Sequence, residues 1–214
     1  MTTLAPILVC FAVPEEASPF RRQATGRNSV RVLVTGMGRR NAEAAIVAWF
    51  SEQPASLVLT CGFAGGLNPA LTVGTVVYDV PEGSPLVGTL RMAGAVPVRF
   101  HGADRVAVTG VEKGRLRDQT GADAVEMESD AIRRICRERG VPAATVRVIS
   151  DGAGEDLPLD FNRLVGPNWE MDYARLALAI ARSPGRIPAL LAFQKRVAAA
   201  AETLARVLVT VTSE

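Results

Sequence analysis

A chain of 214 residues with 48% hydrophobic and 21% charged residues has the make-up of a folded globular protein and is too apolar to be disordered. Its length suits one α/β domain spanning 1–214 better than two small ones. Lys and Arg number 24 against 22 Asp and Glu, a formal charge of +2, and aromatics are only 5%, so neither a strong field nor stacking platforms are on offer to a nucleic acid. Cys10, Cys61 and Cys136 are odd in number and far apart. They make neither a disulfide framework nor a metal-ligand pattern, and they fit a reducing cytoplasm.

The N-terminal stretch MTTLAPILVCFAVPEEA lacks a basic leader region and reads as a first strand, Ile7–Val13, rather than a signal peptide. Further short apolar or β-branched runs follow at Val30–Thr35, Leu57–Cys61, Val73–Val80, Arg105–Thr109 and Ala144–Ser150. Several are apolar on both faces, the pattern of strands covered on two sides. Helical patterns lie between them at Asn41–Gln53 and Ser129–Arg139, with two more after Met171. The alternation predicts a central, mixed and mostly parallel sheet flanked by helices in three layers.

The helix at Ser129 is well specified, with Ser129 or Asp130 as cap, Ala131, Ile132, Ile135 and Cys136 on one face, and Gly140 and Pro142 as stop. The Gly- and Pro-rich segment Pro81–Pro97 reads as an irregular excursion. His101, the single histidine, reads as a surface residue beyond it. No uncharged apolar run reaches the roughly 18–20 residues of a membrane span. The alanine-rich tail SPGRIPALLAFQKRVAAAAETLARVLVTV suits a helix packed on the body or on a second subunit better than a lipid-facing one, in keeping with its mixed charges Lys195, Arg196, Glu202 and Arg206.

Four candidates, the first a pair of glycine turns, could carry chemistry. The glycine turns TGMGRRNAEAA (Thr35–Ala45) and CGFAGGLNP (Cys61–Pro69) each follow a strand and let the backbone approach a ligand, but neither completes a dinucleotide or P-loop fingerprint. Each is equally a plain turn. VRVISDGAG (Val146–Gly154) ends a strand in Ser150 and Asp151, where α/β sheets face their ligand crevice; the alternative is a capping or Asx-turn aspartate. In VEMES, an extended backbone would aim Glu126 and Glu128 to one side and Met127 to the other, whereas first-turn acids would merely favour a helix dipole. In PEEA, Glu15 and Glu16 could simply open a solvent-exposed helix.

Their joint order is more specific than any of them. A first strand ending in Glu16, TGMG, GFAGGLNPALTVGTVV, VEMES and RVISDGAG, in that succession over nearly the whole chain, resembles the nucleoside phosphorylase and nucleosidase superfamily. It looks particularly like its methylthioadenosine/adenosylhomocysteine nucleosidase branch. EKGRL before VEMES and the SPGRIPALL tail are similar to a hopanoid-associated subgroup linked to adenine removal from adenosylhopane.

The resemblance implies a single phosphorylase-like domain cleaving the N-glycosidic bond of an adenosine-type nucleoside, as a homo-oligomer (a dimer or larger) without metal or organic cofactor. It implies that Asp151 protonates the leaving purine and that Glu16 positions the attacking water. Glu128 would bind ribose hydroxyls and Met127 would pack on the sugar. Phe63, Ala64, Gly65, Ser150 and, less directly, Glu126 would complete the substrate pocket.

Breaking a C1′–N9 bond builds positive charge on the sugar and negative charge on the base, which suits such a carboxylate set. Asp151 would have to hold a proton, so its ordinary pKa of about 3.9 would need raising by burial or by a neighbouring carboxylate. Gly38, Arg39 and Arg40 are the candidate phosphate or water site. Phosphate near an ionised Glu16 needs a cation, while Phe63 stands where the nucleosidases carry a small hydroxyl residue. The segment 80–124 lacks the phenylalanine-bearing flap of those enzymes and leaves the base and a long apolar 5′ substituent open. A degenerate nucleoside-binding protein without turnover is the non-enzymatic alternative.

Overall fold

The computed structural model describes residues 5–166, 169 and 172–213; the first four residues of the N-terminal stretch lie outside the described residues. Its sheet has eight strands. β1 (Ile7–Phe11), β2 (Val30–Val34), β3 (Leu57–Gly66), β4 (Val76–Asp79) and β5 (Val96–Pro97) come from the first half of the chain. β6 (Phe100–Gly102), β7 (Ala124–Glu126) and β8 (Ala143–Asp151) complete it. The hydrogen-bonded order is β2-β1-β3-β8-β4-β5, with β7 against β3 and β6 against β7. The pairings β1 with β2, β1 with β3, β3 with β8, β4 with β5 and β6 with β7 are parallel; β4 with β8 and β3 with β7 are antiparallel.

Helices cover both faces, as the continuous apolar character of β1 and β8 requires. On one side α1 (Pro14–Gln23) and the C-terminal half of α7 (Ile187–Val211) bury Phe20, Leu204 and Leu208 against Val9, Val146 and Val148, and α3 (Leu86–Met92) adds Leu90. On the other, α2 (Arg39–Glu52) and α5 (Ser129–Glu138) bury Ile46, Ile132 and Ile135 against Leu8 and Val58. Two further helices among the described residues are α4 (Gly110–Thr120) and α6 (Tyr173–Arg182).

Four expectations change. Arg105–Thr109 is not a strand, because its backbone is held by side chains: Val106 N–H donates to Asn162 Oδ1 (2.9 Å) and Val108 N–H to Glu112 Oε2 (2.9 Å). Pro81–Pro97 contains α3 and β5 rather than a structureless excursion, and His101 lies half-buried in β6. The second glycine stretch is not a turn after Cys61, since β3 runs on through it to Gly66 with a bulge at Ala64/Gly65. Helix α4 shows no apolar stripe in the sequence because its one buried side chain is a lysine, Lys113.

Candidate functional site

The strand ends place the site. β1 stops at Phe11 and the chain turns into α1, with Pro14 in its first turn, where a missing N–H costs nothing. Glu16, in the same turn, folds back as half of a capping box. Its Oε2 accepts the N–H groups of Ala12 (3.0 Å) and Val13 (3.3 Å), and its Oε1 accepts that of Phe63 (2.8 Å). The side chain is therefore buried, not on a solvent-exposed helix start. Gly62 makes this possible: at φ 138° it passes so close that a Cβ would stand 2.6 Å from Glu16 Oε1. Burial pushes the Glu16 carboxyl up to about 7, against the opposing pull of Arg147 and the Phe63 N–H.

Glu126 and Glu128 are both buried, and the reason is Arg147, a charged residue in the middle of the otherwise apolar β8. Its Nη2 donates to Glu126 Oε2 (2.7 Å), Glu128 Oε2 (3.0 Å) and Ser129 Oγ (3.2 Å), and its Nη1 to the Phe63 carbonyl (3.0 Å). Glu126 Oε2 also accepts the N–H groups of Glu128 (2.9 Å) and Ser129 (2.7 Å), so it caps α5 in place of the Ser129 or Asp130 expected from sequence. Glu128 Oε1 accepts Gly38 N–H (2.8 Å) at the start of α2. The anion at that helix end is thus the protein's own.

Burial raises the Glu128 pKa, with Arg147 opposing and Glu126 adding to it. Burial works against the charge of Arg147, but Glu126, Glu128 and Glu16 outweigh it and raise its pKa.

Asp151 ends β8, with both oxygens engaged: Ser150 Oγ donates to Oδ1 (2.5 Å) and Lys113 Nζ lies 2.5 Å from Oδ2. Lys113 has no exposed surface and also donates to the carbonyls of Gly152 (2.9 Å) and Glu155 (2.8 Å). Of the two expected surroundings of Asp151, burial or a neighbouring carboxylate, the structure has burial, and the charged neighbour is an ammonium.

These groups border one cavity of about 240 Å³. Glu16, Phe63, Ala64, Gly65, Glu126, Met127, Glu128, Ser150 and Asp151 all line it. Gly38, Arg39 and Arg40 do not, although Met37 does. Arg39 faces solvent and pairs with the exposed Asp104 (3.4 Å), and Arg40 is exposed.

The reading from sequence missed Arg147, Lys113 and the apolar wall made by Leu157, Phe161, Trp169 and Phe193. For Arg147 a signal existed, a lone cation inside TVRVIS. The wall comes from segments that meet only in the folded chain. Among the described residues no group of three or more His, Cys, Asp or Glu is placed to hold a metal ion.

Residues 93–182 match the family described as the Phosphorylase superfamily. A 5′-methylthioadenosine/S-adenosylhomocysteine nucleosidase of Mycobacterium bovis is 44% identical over 54 residues, 25% of this chain and 21% of that protein. The match thus spans about a fifth of that relative's length. An aminodeoxyfutalosine nucleosidase of Campylobacter jejuni is 26% identical over 198 residues, covering 77% of this chain and 86% of its own. The structure of the Helicobacter pylori 5′-methylthioadenosine/S-adenosylhomocysteine nucleosidase with butyl-thio-DADMe-Immucillin-A superposes with a TM-score of 0.71 at 16% identity, over 98% of both chains. The fold is that of these nucleosidases.

Proposed function

From this likeness to the phosphorylase superfamily, we propose that the chain is a nucleosidase that hydrolyses the N-glycosidic bond of an adenosine-type nucleoside. The supporting observation is the convergence of Glu16, Glu128 and Asp151, which come from α1, the start of α5 and the end of β8, on one cavity. Glu16, with its pKa near 7, is suited to accept a proton from water at neutral pH. Glu128, held by Arg147 and Gly38, accepts hydrogen bonds from ribose hydroxyls and stabilises the positive sugar as the bond to the base lengthens. Asp151, held by the Ser150 hydroxyl, relays to the purine a proton drawn from the Lys113 ammonium 2.5 Å away, which is left as the neutral amine. Met127 packs on the sugar. The chain acts in the cytoplasm as a homo-oligomer.

Water is favoured over phosphate by the placement of cations. Phosphate about 4 Å from ionised Glu16 meets roughly 4 kcal/mol of repulsion per unit charge at an effective dielectric near 20. Arg39 and Arg40 lie outside the cavity lining, Arg147 is committed to two carboxylates and a carbonyl, and Arg105, which does line the cavity, is paired with Glu112. The apolar wall suits an apolar 5′ substituent, in the range from methylthio to the hopane of adenosylhopane.

The test is adenine release from adenosine, methylthioadenosine and adenosylhopane, each with and without phosphate. The expected result is release independent of phosphate, with kcat lowered about 10²–10⁴-fold in Asp151→Asn. Binding without turnover, unchanged in that variant, would instead identify a nucleoside-binding protein.

A further inference from the structure

The body of the protein leaves one face of α6 and of the first half of α7 open. α6 has no buried residue, and α7 has none before Ala200. Both are rich in apolar side chains: Leu178 is 48% exposed and Leu191 59%, with Tyr173 and Ile187 also open. Ile187 and Leu191 stand one turn apart on α7, and Lys195 continues the same stripe. On α6, Leu178 lies between Arg175 and Arg182 at helical spacing.

The charge of this region is one-sided. From 173 to 201 there are five cations, Arg175, Arg182, Arg186, Lys195 and Arg196, and no Asp or Glu. Arg175 is paired with Asp172 and Arg196 with Glu155, whereas among the described residues Arg182 and Lys195 pair with no carboxylate.

We infer that α6 and the N-terminal half of α7 are a docking surface for an anionic phospholipid bilayer. Helices with exposed leucines, basic side chains and no acids are the sequence type that lies in the plane of such a surface. The bend of 101° between the two segments prevents them from crossing as one rod, and no single helix among the described residues is long and apolar enough to cross alone. A second copy of this chain is a poorer occupant, because a twofold contact would bring two cationic faces together without a counter-charge. Phe193 and Val197, on the opposite face of the same half of α7, line the cavity. Docking therefore places the cavity one helix behind the lipid surface; that the molecule it takes is a nucleoside with an apolar tail rests on the nucleosidase reading.

Co-sedimentation with phosphatidylcholine vesicles, with and without phosphatidylglycerol, tests the surface. Each basic side chain near an anionic surface strengthens binding roughly fivefold. The full chain is expected to sediment only with the anionic vesicles and to be released by salt. Arg182→Glu/Lys195→Glu and Leu178→Glu/Leu191→Glu should each weaken binding by at least an order of magnitude while hydrolysing soluble methylthioadenosine at the unaltered rate. Absence of sedimentation, or sedimentation equal in all three proteins, overturns the inference. So does light scattering that shows the leucine variants falling from dimer to monomer while the unaltered chain ignores vesicles, which assigns the face to a second copy. Vesicle binding without cleavage of any nucleoside leaves the docking surface standing and removes the nucleosidase reading.

Discussion

Glu16 occupies a position in the first turn of a helix where glutamate ordinarily faces water, and here three backbone N–H groups draw it inward. Because burial lifts its pKa to about 7, folded Glu16 keeps a proton at pH values where the unfolded chain has lost it. That contribution to stability is fully present below the unfolded value and is lost as pH rises through about 7. Relative to Glu16→Gln, the unaltered protein should lose about 3 kcal/mol of unfolding free energy between pH 4 and pH 8, read by urea denaturation. In the proposed reaction the ionised form takes the proton from water, so kcat/KM should rise with pH to a midpoint near 7, and the variant should lack this limb.

Arg147 poses the opposite problem. Arg147→Met leaves Glu126 and Glu128 buried without a counter-charge, and a loss of about 3–5 kcal/mol in unfolding free energy is expected. The same measurement on Arg147→Met/Glu126→Gln/Glu128→Gln should recover part of it.

At the level of elements, β3 shows why the glycine stretch is there. Its last residues run between β8 and the short β7, and Glu16 of α1 lies against Gly62. Gly62→Ala places a methyl group into the Glu16 carboxylate at a φ that side chains rarely adopt. It should lower kcat at least tenfold and cost about 1–3 kcal/mol of stability, a pairing that distinguishes it from a change in the core alone.

Helix α7 has two halves with different tasks. Its C-terminal half is core: Leu208 has no exposed surface, and Leu208→Ala should cost about 2–5 kcal/mol in thermal or chemical denaturation with kcat unchanged. The mixed charges of the tail look balanced along the chain, yet Glu202 pairs back to Arg22 in the packed half, leaving only cations in the open half.

For the molecule as a whole, β3 and β8 at the centre of the sheet gather residues from the chain's beginning, middle and end. Both faces of the sheet share these two strands, so we expect one cooperative calorimetric transition. Two separate transitions would divide the chain into two domains. Net charge is a poor guide at this scale, since +2 averages a cationic helix pair with a buried acidic cluster.

The strands β1, β2, β4 and β8 and the helices α2 and α5 were legible because local periodicity reports burial, and α5's apolar stripe is a direct instance. The acidic members of the site were not legible one by one, since each could be a cap, an Asx turn or an exposed helix start; only their joint order, and the resemblance it carries, singled out Glu16, Glu128 and Asp151. Arg147 as the counter-charge, Lys113 as Asp151's partner and the fate of Arg39 and Arg40 were not legible. Each depends on contacts between segments tens of residues apart, where chain direction and packing decide which charge meets which. Sequence alone thus set the kinds of groups and the order of most elements. Only the tertiary structure decided their pairing, because burying a charge is tolerable only when a partner is brought to it from elsewhere in the chain.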